Sequence, residues 1–237
     1  MRRTILVYAA VLVAFAVVGW VRLGQLRTAP ASAPARAPAN DDAVPRSPAG
    51  PPLAGTDVPL PAVLERHRTR LEKHLAPAAR LRPGGEPVAR LGGQPRLPAG
   101  LAWPASPSRP RSFVAELDLA ALHRAAPRAA PALPRQGRLL LFYDVEELRG
   151  GYEPGDGAFF RLLHLKDDGR PRTAPKGATV FPERILGAQA ARVLPDEEGL
   201  GGGKALGERA AEAYSELALA LAPEPDHRVG GHPAWIQ

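Results

Sequence analysis

The most strongly apolar segment of the chain lies close to its start. Ile5–Val21 contains 17 residues without a charge or a proline. A helix of this length spans roughly 26 Å, which is sufficient for a short transmembrane helix. The pattern therefore predicts that residues 1–27 form a signal anchor held in the lipid bilayer through Ile5–Val21. A cleaved signal peptide is the alternative, but this apolar segment is longer than a usual signal-peptide core and Arg22 follows it directly.

A proline- and alanine-rich segment comes next. Residues 28–61 contain nine Pro and nine Ala among 34 positions. Because proline lacks a backbone donor and has a fixed φ, this composition predicts a disordered, semi-rigid linker. The rest of the chain, residues 62–237, is long enough for one domain with its own core.

Beyond the linker, the hydrophobic spacing alternates between helical and strand periods. Leucines 64, 71 and 75 share one face of a helix predicted over residues 62–76. A second helix is predicted over residues 210–221, with Tyr214, Leu217 and Leu221 as its packing face. Strands are predicted at residues 113–119, 138–144, 159–165 and 179–181. These elements together predict an α+β fold, sheet-rich and mostly antiparallel, in a single domain behind the transmembrane helix and the linker.

One of these strands has a clear alternation. Phe113, Ala115, Leu117 and Leu119 occupy every second position, which predicts that they share one face of the sheet. The strand at residues 138–144 is instead apolar at nearly every position after Arg138, as expected of a strand buried on both faces.

The charge pattern does not favour nucleic acid as a partner. The formal net charge is +7, but residues 62–237 carry 25 basic and 21 acidic side chains, which predicts a mixed surface without a basic stripe. The chain has 27 Arg and 4 Lys, a ratio that GC-rich codons explain. Cys is absent, which excludes disulfides, Cys-ligated metals and thiol nucleophiles. No metal site and no cofactor are expected.

Four sequence blocks occur in order over residues 88–237. The first reads Arg90-Leu-Gly-Gly-Gln-Pro-Arg-Leu-Pro-Ala-Gly-Leu-Ala-Trp-Pro104, and the second is the Phe-containing strand that ends in Asp118-Leu119. The third is Leu133-Pro-Arg-Gln-Gly-Arg-Leu-Leu-Leu-Phe-Tyr-Asp144, and the fourth is His227-Arg-Val-Gly-Gly-His-Pro-Ala-Trp-Ile-Gln237. Together they resemble the bacterial YwqG-like family, domain of unknown function 1963. The resemblance implies a compact, sheet-rich α+β fold and no particular reaction.

The chain departs from the family pattern in two places. This chain has Glu116 where the family usually has Gln, which puts any shared polar contact there in doubt. The family pattern also continues past the last block, so the chain is expected to lack the C-terminal end of the family domain after Gln237.

The first and last blocks repeat one motif, because Arg90-Leu-Gly-Gly-Gln-Pro95 parallels Arg228-Val-Gly-Gly-His-Pro233. Gly-Gly pairs permit positive φ and close backbone approach. One hypothesis is therefore a cleft that both Gly-Gly turns face. Its candidate ligand-binding residues are Arg90, Gly92, Gly93, Trp103, Gly230, Gly231 and Gln237. The alternative for Trp103 is a hydrophobic plug in the core.

The candidate catalytic residues are His227, Asp144 and Glu116, since a histidine with carboxylates can perform general acid–base chemistry if the fold brings them together. The alternative is a set of hydrogen-bonded structural residues. The Gly199–Lys204 segment resembles a phosphate-binding loop but lacks the required Gly before it and the Ser or Thr after Lys204.

These observations favour a membrane-anchored binding module on the bacterial inner membrane, with its domain in the periplasm. An envelope protein or a glycan is the expected partner, and the sequence does not indicate an oligomeric state. The alternatives are an envelope enzyme of the hydrolase type with a cleft between the Gly-Gly turns, and a structural spacer of the cell envelope. The absence of a recognisable nucleophile or metal motif favours binding over catalysis.

Overall fold

A computed structural model describes residues 49–147, 149–150, 153–166, 168–201, 206–223 and 227–232. The described residues divide into two compact units. The first unit contains residues 77–190 and 227–230, and the second contains residues 49–76, 191–223 and 231–232.

The elements follow in chain order. The strands are β1 (Ala49–Gly50), β2 (Leu60–Pro61), β3 (Ala76–Leu91), β4 (Arg96–Leu97), β5 (Ser112–Asp118), β6 (Arg138–Tyr143), β7 (Phe160–Leu165), β8 (Arg170–Pro171), β9 (Arg184–Val193) and β10 (His227–Gly230). The α-helices are α1 (Arg68–His74), α2 (Leu119–Ala125) and α3 (Glu208–Leu221), and 3₁₀ helices cover Ala62–His67 and Pro154–Phe159.

An antiparallel sheet organises the first unit. Its strand order is β10-β3-β5-β6-β7, and β9 also pairs with β3. All six residues of β6 are buried. Leu139, Leu141 and Tyr143 join the larger core on one face, whereas Leu140 and Phe142 join a smaller core on the other. The strand predicted at residues 138–144 is thus confirmed as a central strand buried on both faces.

The predicted alternation in β5 is wrong at its first position. Phe113 lies in the smaller core with Phe142, while Ala115 and Leu117 lie in the larger core. The pairing register between β5 and β6 shifts between Phe113 and Ala115. A bulge of this kind adds one residue to the strand and so reverses the face of the residues before it.

The second unit is built around a different core. The predicted helix over residues 62–76 is present as a 3₁₀ turn followed by α1, and its Leu64 and Leu71 are buried. In α3, Tyr214, Leu217 and Leu221 are buried as predicted.

The predicted linker is wrong for residues 49–61. β1 and β2 pair there, and Leu53 and Leu60 are buried in the core of the second unit. The proline content of this segment gave no indication that Leu53 and Leu60 would be only 1 % and 0 % exposed.

The predicted fold class requires one further correction. Its sheet-rich, antiparallel character is as predicted. The transmembrane helix is not supported: in the described ranges no helix has both the length and the apolar character to cross a bilayer. The predicted span Ile5–Val21, with the whole of residues 1–48, lies outside the described residues.

Tyr143, a buried residue of the larger core, makes the folding stability depend on pH in the alkaline range. Burial, together with the nearby charges of Asp144 and Asp156, raises the pKa of Tyr143 to about 12. The unfolded tyrosine loses its proton above about pH 10, so the unfolded state holds fewer protons and folding stability falls as the pH rises from 10 to 12. We expect a loss of about 1.4 kcal/mol per pH unit over this window. Urea unfolding of the wild-type chain and Tyr143→Phe at several pH values measures it, and an equally steep loss in Tyr143→Phe would contradict the assignment.

Candidate functional site

Glu116 lies between two arginines from the neighbouring strands. In the sheet, Glu116 pairs with Arg90 of β3. Asp118, two positions further along β5, pairs with Arg138 of β6. The carboxylate oxygen Oε2 of Glu116 accepts hydrogen bonds from Arg90 at 2.9 Å and from Arg138 at 3.1 Å. The three side chains are only 13 %, 17 % and 9 % exposed, so this is a largely buried ion cluster.

Arg90 also faces outward. Its second amino group is 3.4 Å from Oε2 of Glu183, a side chain that is 50 % exposed. Its guanidinium carbon lies 5.8 Å from the centre of the Phe113 ring, within the range of a cation–π contact. One side of Arg90 is therefore fixed by buried groups, while the other meets a half-exposed carboxylate.

The Gly92-Gly93 turn follows β3 directly and borders this cluster. Both glycines have positive φ, 63° and 71°. The Gly92 amide donates to the Val114 carbonyl and the Gly93 amide donates to the Phe181 carbonyl, each at 2.9 Å. A Cβ on Gly92 would lie 2.5 Å from the Pro182 carbonyl oxygen, so the close approach of this segment requires glycine.

Residues 179–183 form a segment that lies against the turn, which we call the strap. A strand was predicted at residues 179–181, but no regular element forms there. The amide of Thr179 donates to Oγ of Ser112 and the carbonyl of Phe181 accepts from Gly93. Because these bonds go to a side chain and a turn, and Pro182 has no N–H, the strap does not enter a ladder.

Asp144 forms a separate buried cluster at the end of β6. Its Oδ2 accepts a hydrogen bond of 2.6 Å from Ser106, and its Oδ1 is 3.8 Å from Nε of Arg109. Arg111 donates to the backbone carbonyls of Ala105 and Ala158. Burial and the charge of Arg161 lower the pKa of Arg111, against the opposing effect of Asp144. These contacts hold the loop before β5 to the ends of β6 and β7.

The described residues do not bring the three candidate catalytic residues together. Glu116 pairs with Leu140, whereas Asp144 follows Tyr143, which pairs with Ser112 at the other end of β5. His227 pairs with Leu81, in the half of β3 that precedes Gly84, while the partner of Glu116 lies near the end of β3. Glu116 instead contacts Arg90 and Arg138, and Asp144 contacts Ser106 and Arg109.

Trp103 packs against the core, which was the alternative to a ligand-binding role for it. Its Nε1 donates to the Arg111 carbonyl at 2.9 Å, and its ring makes an edge contact with Phe142 at a centroid distance of 5.5 Å. It packs against the smaller core and serves as a hydrophobic plug.

The two Gly-Gly turns lie at opposite ends of β3. Gly92 comes directly after Leu91, the last residue of the strand, whereas Gly230 pairs with Ala78 near its start. Gly230 and Gly231 have φ of 79° and 76°, so both turns use left-handed backbone. The hypothesis of a cleft shared by the two turns receives no support from this topology. Gln237, the last candidate ligand-binding residue, lies outside the described residues.

Sequence reasoning missed Arg138 and Glu183. A lone arginine at the start of an apolar strand was a signal for Arg138, because a buried charge requires a partner. Glu183 had no signal, since its proximity to Arg90 depends on the path of the strap.

Comparison with known proteins agrees with the resemblance drawn from the four sequence blocks. The family model described as Domain of unknown function (DUF1963) matches residues 89–237. No curated protein matches the chain. The match covers more than half of the chain, including β5, β6, β7 and the Gly92-Gly93 turn. The chain therefore belongs to the DUF1963 family of domains of unknown function.

Proposed function

We propose that this chain is a binding module that holds a carboxylate group of its ligand at Arg90. The observation that carries the proposal is the two-sided environment of this arginine. Glu116 and Phe113 orient the guanidinium, and its other amino group is 3.4 Å from the half-exposed Glu183. The planar guanidinium is suited to recognition of carboxylates, and pre-orientation reduces the entropy lost on binding.

The two ion pairs of Arg90 differ in how readily a ligand can replace them. The pair with Glu116 is short and largely buried, so breaking it would leave a desolvated charge without its partner. The pair with Glu183 is longer and half-exposed, and exposed pairs contribute about 0–1 kcal/mol. A ligand carboxylate can therefore take the position of Glu183 while the bond to Glu116 persists.

The same contacts favour binding over the hydrolase hypothesis. A general base must lie within hydrogen-bond reach of the proton that it removes. Glu116 is bound by two guanidinium groups, and Asp144 is bound by Ser106 and is fully buried. This arrangement leaves both carboxylates serving as anchors for arginine and serine side chains.

Titration with N-acetylglutamate tests the proposal on the full chain. We expect saturable chemical-shift changes at the Arg90 side chain and the Gly93 amide in NMR spectra. Because hydrogen bonds to charged groups contribute about 1.5–3 kcal/mol, Arg90→Gln should weaken binding by roughly tenfold or more. Arg124→Gln is the matched control, since Arg124 pairs with the exposed Glu86 in the same unit.

A second variant keeps the test decisive if Arg90→Gln does not fold. Glu183→Gln removes the competing carboxylate and should strengthen binding of N-acetylglutamate. Equal affinities for wild type, Glu183→Gln and Arg124→Gln would contradict the proposal.

A further inference from the structure

The strap is bound to the Gly92-Gly93 turn as a short peptide ligand would be. It contributes a backbone carbonyl, from Phe181 to the Gly93 amide at 2.9 Å, and a carboxylate, from Glu183 to Arg90 at 3.4 Å. These two contacts come from positions two residues apart. The turn and Arg90, which pairs with Glu116 in the adjoining strands, are thus both contacted by one five-residue segment.

An aromatic side chain completes the pattern. Phe181 is partly buried and packs against the larger core of the first unit. Val180, between Thr179 and Phe181, is 63 % exposed. The strap therefore contacts the protein through Phe181, at the larger core, and through Glu183, at Arg90, while Val180 faces solvent.

We propose that Arg90 and the Gly92-Gly93 turn form a docking site for an extended segment of another protein in which an aromatic residue precedes an acidic residue by two positions. The strap, Thr179-Val-Phe-Pro-Glu183, occupies this site in cis. A backbone donor, an apolar contact and an oriented arginine are the groups that recognise extended peptides with an acidic side chain. This inference rests on the proposed carboxylate-binding function and specifies the class of its ligand.

The strap is held in a way that allows exchange. It belongs to no strand, and Pro182 provides no donor. The side-chain carboxylate of Glu183, at the end of the strap, makes a half-exposed ion pair with Arg90. At the start of the strap, the Thr179 hydroxyl donates to the exposed Glu146 at 3.2 Å. A peptide in trans can replace these contacts with equivalent ones, so affinity is set by competition between the two segments.

Fluorescence anisotropy with a labelled peptide tests the inference on the full chain. The probe is acetyl-Thr-Val-Phe-Pro-Glu-amide, and the control peptides replace its Phe by Ala or its Glu by Gln. We expect both control peptides to bind at least tenfold more weakly than the probe, because each lacks one recognised group. Glu183→Gln in the protein weakens the strap and should tighten probe binding by up to about fivefold. Glu86→Gln, which removes an exposed carboxylate elsewhere in the same unit, should leave probe binding unchanged.

The outcomes separate this inference from the function on which it rests. Binding of N-acetylglutamate at Arg90, with the probe binding no more tightly than its control peptides, would overturn the peptide site and leave the carboxylate site in place. Absence of binding by both N-acetylglutamate and the probe, in wild type and in Glu183→Gln, would overturn both.

Discussion

Replacement of Glu116 by Ala is expected to destabilise the first unit by about 3–5 kcal/mol, the usual effect of removing one partner from a buried ion pair. The carboxylate of Glu116 is the hydrogen-bond acceptor that Arg90 and Arg138 share. Without it, two largely buried guanidinium groups would repel each other in a region of low dielectric. The contact of Arg90 with Glu183 and the bond from Arg138 to the Arg96 carbonyl at 3.2 Å would remain, but neither supplies a buried negative charge.

Hydrogen exchange of the β5 and β6 amides across a urea series measures this loss within the first unit. Glu86→Ala is the control, because Glu86 is 62 % exposed and pairs with the equally exposed Arg124. Exposed pairs contribute about 0–1 kcal/mol, so the control should change little. Glu116→Gln should have an intermediate effect, since the amide oxygen can still accept a hydrogen bond. A loss in Glu116→Ala no larger than that in Glu86→Ala would show that the cluster is not a stabilising centre.

Replacement of Gly230 by Ala is expected to detach β10 from β3. Two effects add at this position. Its φ of 79° lies in the left-handed region, which costs about 1–2 kcal/mol for a residue with a Cβ. A Cβ there would also overlap the carbonyl oxygen of Ala129, and relief of such overlap adds about 1–3 kcal/mol.

Gly85→Ala separates the two effects. Gly85 has a similar φ of 73°, but no atom lies within 4 Å of the position that a Cβ would take there. It should therefore show the backbone effect alone. The measurement is the thermal midpoint together with exchange of the amides of residues 78–81, which pair with β10. If both variants lost the same stability, contact with the Ala129 carbonyl would have no energetic role.

The sequence predicted the elements whose signal is local. The spacing of Leu64 and Leu71, and of Tyr214 and Leu217, predicted helices with those residues buried. The nearly continuous apolar run after Arg138 predicted a central strand, and it is one. Gly-Gly pairs predicted left-handed turns because glycine alone adopts positive φ without a steric penalty. These predictions succeeded since each depends on residues within a few positions of one another.

The predictions that failed depended on long-range packing. Nothing in a proline-rich composition shows that Leu53 and Leu60 are buried, because burial is decided by the residues that pack against them. The β5 bulge, which moves Phe113 to the opposite face, is defined by pairing with β6. The predicted strand at residues 179–181 fails because its carbonyl and amide groups meet a turn and a serine rather than another strand.

The candidate site shows the same division. The sequence by itself determined that Arg90 stands beside a Gly-Gly turn and that Glu116 occupies a strand expected to be mostly apolar. Tertiary structure alone decided that Arg90 and Arg138 share the carboxylate of Glu116, since strand register brings these arginines, 26 and 22 positions away from it, into direct contact. It also decided that Asp144 and His227 lie elsewhere. The physical reason is that side-chain chemistry is carried by each residue, whereas the meeting of two charges depends on which strands pair and in what register.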